Sequence, residues 1–311
     1  MSATLKQPPT VQSETLEDAI QALQDGANCE LPVLPEVAAQ LLKLTSDVNC
    51  DVSDIVPLIK RDQSLTSHLL RIANSVRYNT GVTVSSVQQA VARLGLLAVR
   101  EIVVLISCKC RVFNVPEFET QVRESFRHSL ATAAFAQEIA RVRRMNVEEA
   151  FLTGLLHDVG RPILFQALAD RRRSHGLVAD HSEVLQSAEA HRIPFAAMLI
   201  GQWQLSDRVA EAVRFQLSPQ EAPACSLQAA SLNLAIDLAE TLLHPNGERR
   251  FDDESQSQIR GLTPPARLPN AAQRPDDEPH PMQEVLSLYP EQFAAILKNS
   301  DRILEWVDST V

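Results

Sequence analysis

The sequence predicts an all-α protein in which amphipathic helices pack around a large core. Apolar residues recur at spacings of three and four through almost the whole chain, which is the period of an α-helix. Aromatic residues make up only 5% of the sequence and there are 9 glycines, so aromatic strands joined by glycine turns are not expected. The 311 residues, 45% of them hydrophobic, suffice for one large domain or two modest ones.

The first half of the chain contains local signals for helix starts and ends. An Asp or Ser side chain accepts hydrogen bonds from the free amides of a helix start, and a glycine such as Gly95 favours a helix end. The segment 96–113 is apolar on most faces, as a central buried helix would be. A helix is also predicted over 15–23, and another within 31–47, a segment that opens with two prolines in an extended lead-in. The remaining helices predicted here are those capped by Asp51, by Asp62 and by Ser85 or Ser86.

The second half begins near Glu117 with a long helix whose small residues allow close packing. The next helix is predicted to end at His157 and Asp158, because Gly160 and Pro162 follow as stop signals. Later helices are predicted at about 183–191, 194–203, 206–216 and 226–243.

The helical pattern fails over 246–281, where Pro, Asp, Gln and Arg dominate and large apolar residues are scarce. A segment of that composition cannot offset the entropy lost on ordering, so we predict a disordered insertion there. Helical periodicity returns in 284–307, and we expect residues 282–311 to form C-terminal helices that pack on the body.

The composition also bounds the partners of the protein. The 29 Lys and Arg residues against 39 Asp and Glu give a formal net charge of −10, whereas a nucleic-acid binder favours the opposite balance. No apolar run approaches the ~18 residues needed to cross a bilayer, and no apolar signal core precedes the helices. We therefore expect a cytoplasmic protein that binds neither nucleic acid nor membrane. Its 5 scattered cysteines predict no disulfide framework.

Four residues are candidate ligands for a metal ion: His128, His157, Asp158 and Asp237. Imidazole and carboxylate groups bind divalent ions such as Zn²⁺, Mn²⁺, Mg²⁺ or Fe²⁺. A consecutive His-Asp pair can serve one ion where a helix ends, because the backbone turns there. His128 and Asp237 both lie in apolar surroundings, where a polar side chain is costly unless it is paired or metal-bound.

Five segments together resemble a known family. They are LPVLPEVAAQLL (31–42), DQSLTSHLLRIANSVRY (62–78), VSSVQQAVARLGLLAVREIVV (84–104), AFLTGLLHDVGRPIL (150–164) and AHRIPFAAMLIGQWQLSDRVAEAVRF (190–215). They resemble the HDOD family, the HD-related output domain of bacterial signalling proteins. The resemblance implies an all-α fold related to HD-domain metal phosphohydrolases. The implied HDOD domain covers 25–245, with an N-terminal lobe over 25–113 and an HD-like lobe over 117–245, and residues 1–24 are a tail and the start of the first helix.

The resemblance also implies roles for individual residues. The four candidate ligands match the H…HD…D skeleton of the HD superfamily. The more distantly similar HD-GYP phosphodiesterases add a lysine after the HD glycine and further histidines. Arg161 stands at the lysine position in this chain, and His191 is a candidate for one histidine position. The paired histidines are replaced by the FQL of 215–217, and no GYP motif is present.

Two functions stay open at this point. The first is a bacterial signal-transduction module of HDOD type that has no chemistry of its own and acts through contacts with a partner protein. His157 and Asp158 would then cap a helix end, and His128 would hydrogen-bond across the core. Asp237 would pair with a neighbouring cation. The second is a metal-dependent phosphohydrolase for a nucleotide or cyclic dinucleotide. In that case the four candidates would hold one divalent ion, and Arg161 and His191 would face the phosphate.

Overall fold

A computed structural model of the chain describes residues 14–24, 50–74, 81–96, 115–203, 205–245 and 280–310, with isolated positions at 37, 40, 41, 44, 78, 99, 102 and 103. None of these described residues lies in a β-strand, and the predicted all-α fold class is confirmed. The insertion predicted over 246–281 lies outside the described residues except for its last two positions. Most residues of the two helices predicted over 31–47 and 96–113 also lie outside the described residues.

The helices are numbered here in chain order. The N-terminal ones are α1 (Leu16–Gln24), α2 (Val52–Ile59), α3 (Gln63–Ala73) and α4 (Val87–Leu94). The middle of the chain forms α5 (Glu119–Arg143), α6 (Val147–Leu156), α7 (Gly160–His175), α8 (His181–Gln202), α9 (Asp207–Arg214) and α10 (Ser226–Leu243). The C-terminal helices are α11 (Pro281–Val285), α12 (Pro290–Leu297) and α13 (Ser300–Thr310). No helix in the described part of the chain is both long and apolar enough to cross a bilayer.

The predicted helix caps act where the sequence places them. The side chains of Asp51 and Asp62 each accept a hydrogen bond from a backbone amide of the helix that follows. Ser86, and not Ser85, does the same for α4. Gly95 ends α4 with a φ of 83°, a left-handed conformation that glycine adopts without strain.

Two helices differ from the prediction. The helix predicted to end at His157 and Asp158 does end there, but Gly160 and Pro162 lie in the first turn of a further helix, α7, which the sequence did not predict. Proline fits a first helical turn, because the amide hydrogen it lacks would have no partner within the helix there. The helices predicted over 183–191 and 194–203 are the single helix α8, with Pro194 inside it. This helix continues past the proline because apolar residues of both halves are buried.

Helices α2, α3 and α4 share one continuous core with α6 and α8. Leu69 of α3 and Val91 of α4 belong to the same buried cluster as Leu156 of α6 and Leu199 of α8. The end of α6, which precedes the predicted His-Asp pair, therefore packs in the same core as α3, α4 and α8.

The C-terminal helices pack on the HD-like lobe. Trp306 of α13 is 1% exposed and lies in the buried cluster of α5, α6 and α10. Its ring centroid is 6.3 Å from that of Phe151. Residues beyond the predicted HDOD domain thus contribute to its core.

Candidate functional site

The His157–Asp158 pair lies in the short turn between α6 and α7, at the helix end where the sequence places it. Both residues are buried, with 1% of their surface exposed. Gly160 fixes this turn against α8. A Cβ at Gly160 would lie 2.0 Å from the carbonyl oxygen of Arg192, so only glycine permits this approach of the two helices.

Three side chains from three helices bind the carboxylate of Asp158. Oγ of Ser125 in α5 donates to Oδ2 at 2.6 Å. Nε of Arg161 in α7 donates to Oδ2 at 3.0 Å. Nη1 of Arg192 in α8 donates to Oδ1 at 3.2 Å. Both oxygens of this buried acid therefore face a guanidinium group.

Glu189 completes a group of four balanced charges. Its carboxylate lies 2.7 Å from Nη1 of Arg161 and 3.2 Å from Nε of Arg192. Burial opposes the charge of Arg192, but Glu189 and Asp158 outweigh that effect and raise its pKa above the ordinary range. Two carboxylates thus compensate two guanidinium groups where an unpaired charge would be costly. We call Ser125, Asp158, Arg161, Glu189 and Arg192 the Asp158 cluster.

His157 is held as a neutral imidazole next to a second histidine. Its Nδ1 donates to the carbonyl oxygen of Gly154 at 2.7 Å. Its ring centroid lies 5.3 Å from that of His128 in α5. Burial lowers the pKa of His157 well below its ordinary 6.5, and the nearby His128 lowers it further. With the proton on Nδ1, the Nε2 atom of His157 keeps its lone pair.

The metal hypothesis makes Asp237 a ligand of the ion, whereas in the structure its carboxylate pairs with a histidine. Its Oδ2 lies 2.8 Å from Nε2 of His280, at the start of α11. Nδ1 of His280 accepts from the amide of Met282, so its proton lies on Nε2. One turn further along α10, Oε2 of Glu240 lies 3.2 Å from Nε2 of His128.

The two residues predicted to face a phosphate are engaged within the protein. Arg161 is only 4% exposed, and its guanidinium group lies in the Asp158 cluster. Nδ1 of His191 donates to the carbonyl oxygen of Ser187 at 2.9 Å, within its own helix. The neighbouring Arg192, and not His191, reaches Asp158.

Sequence reasoning missed most of the partners that complete the site. Gln216, one of the residues that replace the paired histidines, is fully buried, and its Nε2 donates to the carbonyl oxygen of His157 at 3.2 Å. A charged residue in an apolar helix is the signal that could have revealed Arg192, because such a charge needs a buried partner. The other missed residues are Ser125, Glu189, Glu240 and His280.

The arrangement does not fit an ion held by the four predicted ligands. The structure brings His128 and His157 together, but the carboxylates of Asp158 and Asp237 face guanidinium and imidazole groups. Over the residues that the structure describes, no three His, Cys, Asp or Glu side chains form a group able to hold a metal ion.

The described residues form an all-α body with a buried His-Asp pair at a helix junction. The family model for the HDOD domain matches residues 31–219, which is more than half of the chain. The chain therefore belongs to the HDOD domain family, and the resemblance seen in the sequence is confirmed.

Individual relatives are distant. An uncharacterized protein of Treponema pallidum (strain Nichols) is 23% identical in an alignment of 203 residues that covers 62% of this chain and 39% of that protein. The chain thus spans well under two thirds of the length of that curated relative.

Two solved structures share the fold at low identity. One is a candidate metal-dependent phosphohydrolase from Shewanella amazonensis SB2B, with a TM-score of 0.63 and 17% identity over 93% of this chain and 96% of that chain. The other is a candidate signal transduction protein from Marinobacter aquaeolei VT8, with a TM-score of 0.59 and 21% identity over 94% of this chain and 65% of that chain. At these identities the likeness shows the fold alone.

Proposed function

We propose that this protein is a signalling module of HDOD type that acts through contacts with a partner protein and has no hydrolytic chemistry of its own. The observation that carries the proposal is the pairing of the Asp158 carboxylate with two buried arginines. A hydrolytic ion would need this carboxylate as a ligand, yet Arg161 and Arg192 already neutralise it. A cation placed beside two buried guanidinium groups would be repelled by both.

The Asp158 cluster has a structural role in this proposal. It joins α5, α7 and α8 through contacts that are almost fully buried. Paired charges of this kind fix the relative positions of helices, and a protein that presents helix surfaces to a partner needs those positions fixed. The name of the solved structure from Marinobacter aquaeolei VT8, a signal transduction protein, supports only the signalling part of the proposal.

The test combines metal analysis with a turnover assay. We would measure the metal content of the purified full chain and the hydrolysis of bis(p-nitrophenyl) phosphate with added Mn²⁺. The assay is repeated for His157→Ala, for Asp158→Ala and for His175→Ala, which changes an exposed histidine as a control. We expect no stoichiometric metal and no turnover that depends on His157 or Asp158. Turnover that both variants abolish and the control keeps would overturn the proposal.

A second candidate function is metal-dependent phosphoester hydrolysis. The observation that favours it is the pair of buried imidazoles, because the neutral His157 keeps a lone pair on Nε2. The ring centroids of His157 and His128 are 5.3 Å apart. The structural neighbour from Shewanella amazonensis SB2B is named for this activity. The same assay decides between the two candidates, since only this one requires mutation-sensitive turnover.

A further inference from the structure

The C-terminal helices α11 and α12 expose a group of large apolar side chains. Three of the six such side chains that are exposed in the described part of the chain lie on these two helices or in the turn between them. They are Tyr289, Val285 and Leu297, with 71%, 50% and 41% of their surfaces exposed. Single exposed apolar residues are ordinary, but a group of them within one short stretch of chain indicates a contact surface.

The two faces of α12 differ in their packing. Ile296 is 1% exposed and Phe293 is partly buried, and both pack in the cluster that contains Trp306. The opposite face, which we call the outer face of α12, consists of exposed residues. They are Pro290, Glu291, Ala294, Ala295, Leu297 and the C-cap Lys298. One face therefore fixes the helix to the body, and the outer face is accessible without any rearrangement.

The charges on the outer face of α12 are complementary to themselves. Glu291 and Lys298 are two helical turns apart, so they share one face and are separated by about 10 Å along the helix axis. In the part of the chain that the structure describes, neither side chain forms an ion pair. If two copies of α12 cross antiparallel at Ala294 and Ala295, Glu291 of each copy lies opposite Lys298 of the other. A two-fold axis at the crossing makes this contact twice.

We propose that the outer face of α12 is a homodimer interface, on which a second copy of this chain places its own α12 in the antiparallel direction. The chain has a formal net charge of −10, so two copies repel each other on average. The outer face of α12 has one acid and one base and hence no net charge. Ala294 and Ala295 are small enough for two helix axes to approach to about 8 Å. This dimer goes beyond the proposed function and does not depend on it.

Sedimentation velocity of the full chain over about 5–500 µM measures this association. Because one short helix buries less than the ~800 Å² per partner of a standard interface, we expect a dimer with a micromolar Kd. Tyr289→Ser should weaken the dimer by ~10-fold, because the exposed ring loses its contact with the second copy. Circular dichroism verifies that the variant is folded. A wild-type chain that stays monomeric over the whole range would overturn the proposal.

Charge reversal tests the antiparallel alignment. Lys298→Glu places acids opposite each other and Glu291→Lys places bases opposite each other, so each variant alone should dimerise at least ~10-fold more weakly. An equal mixture of the two variants should form a heterodimer, because each acid then faces a base again. The double variant with both changes should regain the wild-type affinity for the same reason. Arg173→Glu makes the same change in net charge at another exposed site and should leave the dimer unchanged.

The mixing experiment also separates a dimer from a purely structural role of these charges. An acid in the first turn of α12 and a base at its end suit the helix dipole, which affects stability alone. That role predicts no heterodimer, so single variants that do not pair when mixed would overturn the proposal. A dimer that neither single reversal weakens would place the interface elsewhere and overturn it as well. Association is read without turnover, so mutation-sensitive hydrolysis would refute the proposed function without changing this result.

Discussion

Asp158 and Asp237 are two acids of one predicted ligand set, yet the fold places them in different surroundings. The side chain of Asp158 is 0% exposed and contacts two guanidinium groups and a hydroxyl. The side chain of Asp237 is 23% exposed and pairs with the imidazole of His280. A shared sequence skeleton therefore does not imply a shared role. The buried acid is held by permanent charges, whereas the other acid keeps contact with solvent.

The largest difference should appear when each acid is removed. Asp158→Ala leaves Arg161 and Arg192 buried with one acid fewer, and breaking such a pair costs about 3–5 kcal/mol. Asp237→Ala removes a partly exposed contact and should cost about 1 kcal/mol. Urea unfolding of both variants at pH 7 measures the two losses. Equal losses would show that the two acids do not differ in the way their surroundings suggest.

A side chain added at the contact between α7 and α8, next to the Asp158 cluster, should lower the stability of the protein. Gly160→Ala places a Cβ 2.0 Å from the carbonyl oxygen of Arg192, and we expect a loss of about 3 kcal/mol. Gly201→Ala is the matched control in the same pair of helices, since no atom lies within 4 Å of its added Cβ. The control should be unchanged or slightly stabilised, by up to about 1 kcal/mol. Urea midpoints measure both, and a tolerated Gly160→Ala would contradict the close approach of α7 and α8.

The pH dependence of stability should reflect the neutral state of His157. Its pKa lies well below 6.5 in the folded chain, so the unfolded chain takes up a proton below pH 6.5 that the folded chain does not. Stability is then fully present above pH 6.5 and falls with decreasing pH, by up to about 1.4 kcal/mol per pH unit, until the folded pKa is reached.

His157→Gln removes this titration and should flatten the pH profile of unfolding below pH 6.5. His175→Gln changes an exposed histidine and should leave the slope as it is in the wild-type chain. An unaltered slope in His157→Gln would mean that His157 takes up its proton as readily in the folded protein as in the unfolded chain.

A small effect is expected at the outer acid of the Asp158 cluster. Glu189 is 35% exposed, so solvent screens its contacts with Arg161 and Arg192. Glu189→Gln should cost about 1 kcal/mol at low salt and less at high salt. Asp308→Asn, which removes the exposed pair with Arg127, should cost less than half of that. A loss as large as that of Asp158→Ala would show that the cluster is shielded from solvent throughout.

Local signals in the sequence were sufficient for the helix class and for most helix starts. A cap such as Asp51 or Asp62 acts on amides within three residues, so its effect is visible in a short window. Gly160 and Pro194 misled the prediction for the converse reason. Both residues disfavour helix in isolation, and the packing of α7 on α8 overrides that preference.

The candidate site was predictable only in its centre. The His157–Asp158 pair is adjacent in sequence and was found, and His128 lies beside it as the skeleton implies. Arg192 is 34 residues from Asp158, and His280 is 43 residues from Asp237. Contacts at such separations depend on how helices pack, and no local pattern in the chain encodes them.

The central claim is that guanidinium groups, and not a metal ion, neutralise Asp158. The most direct test is the thermal unfolding midpoint of the full chain after exhaustive EDTA treatment and again with excess Mn²⁺. An ion that binds only the folded state raises the free energy of unfolding. Above Kd, this increase grows with the logarithm of the ratio of the ion concentration to Kd. We expect unfolding midpoints that agree within about 1 °C. A rise of several degrees with Mn²⁺ that Asp158→Asn abolishes would contradict it.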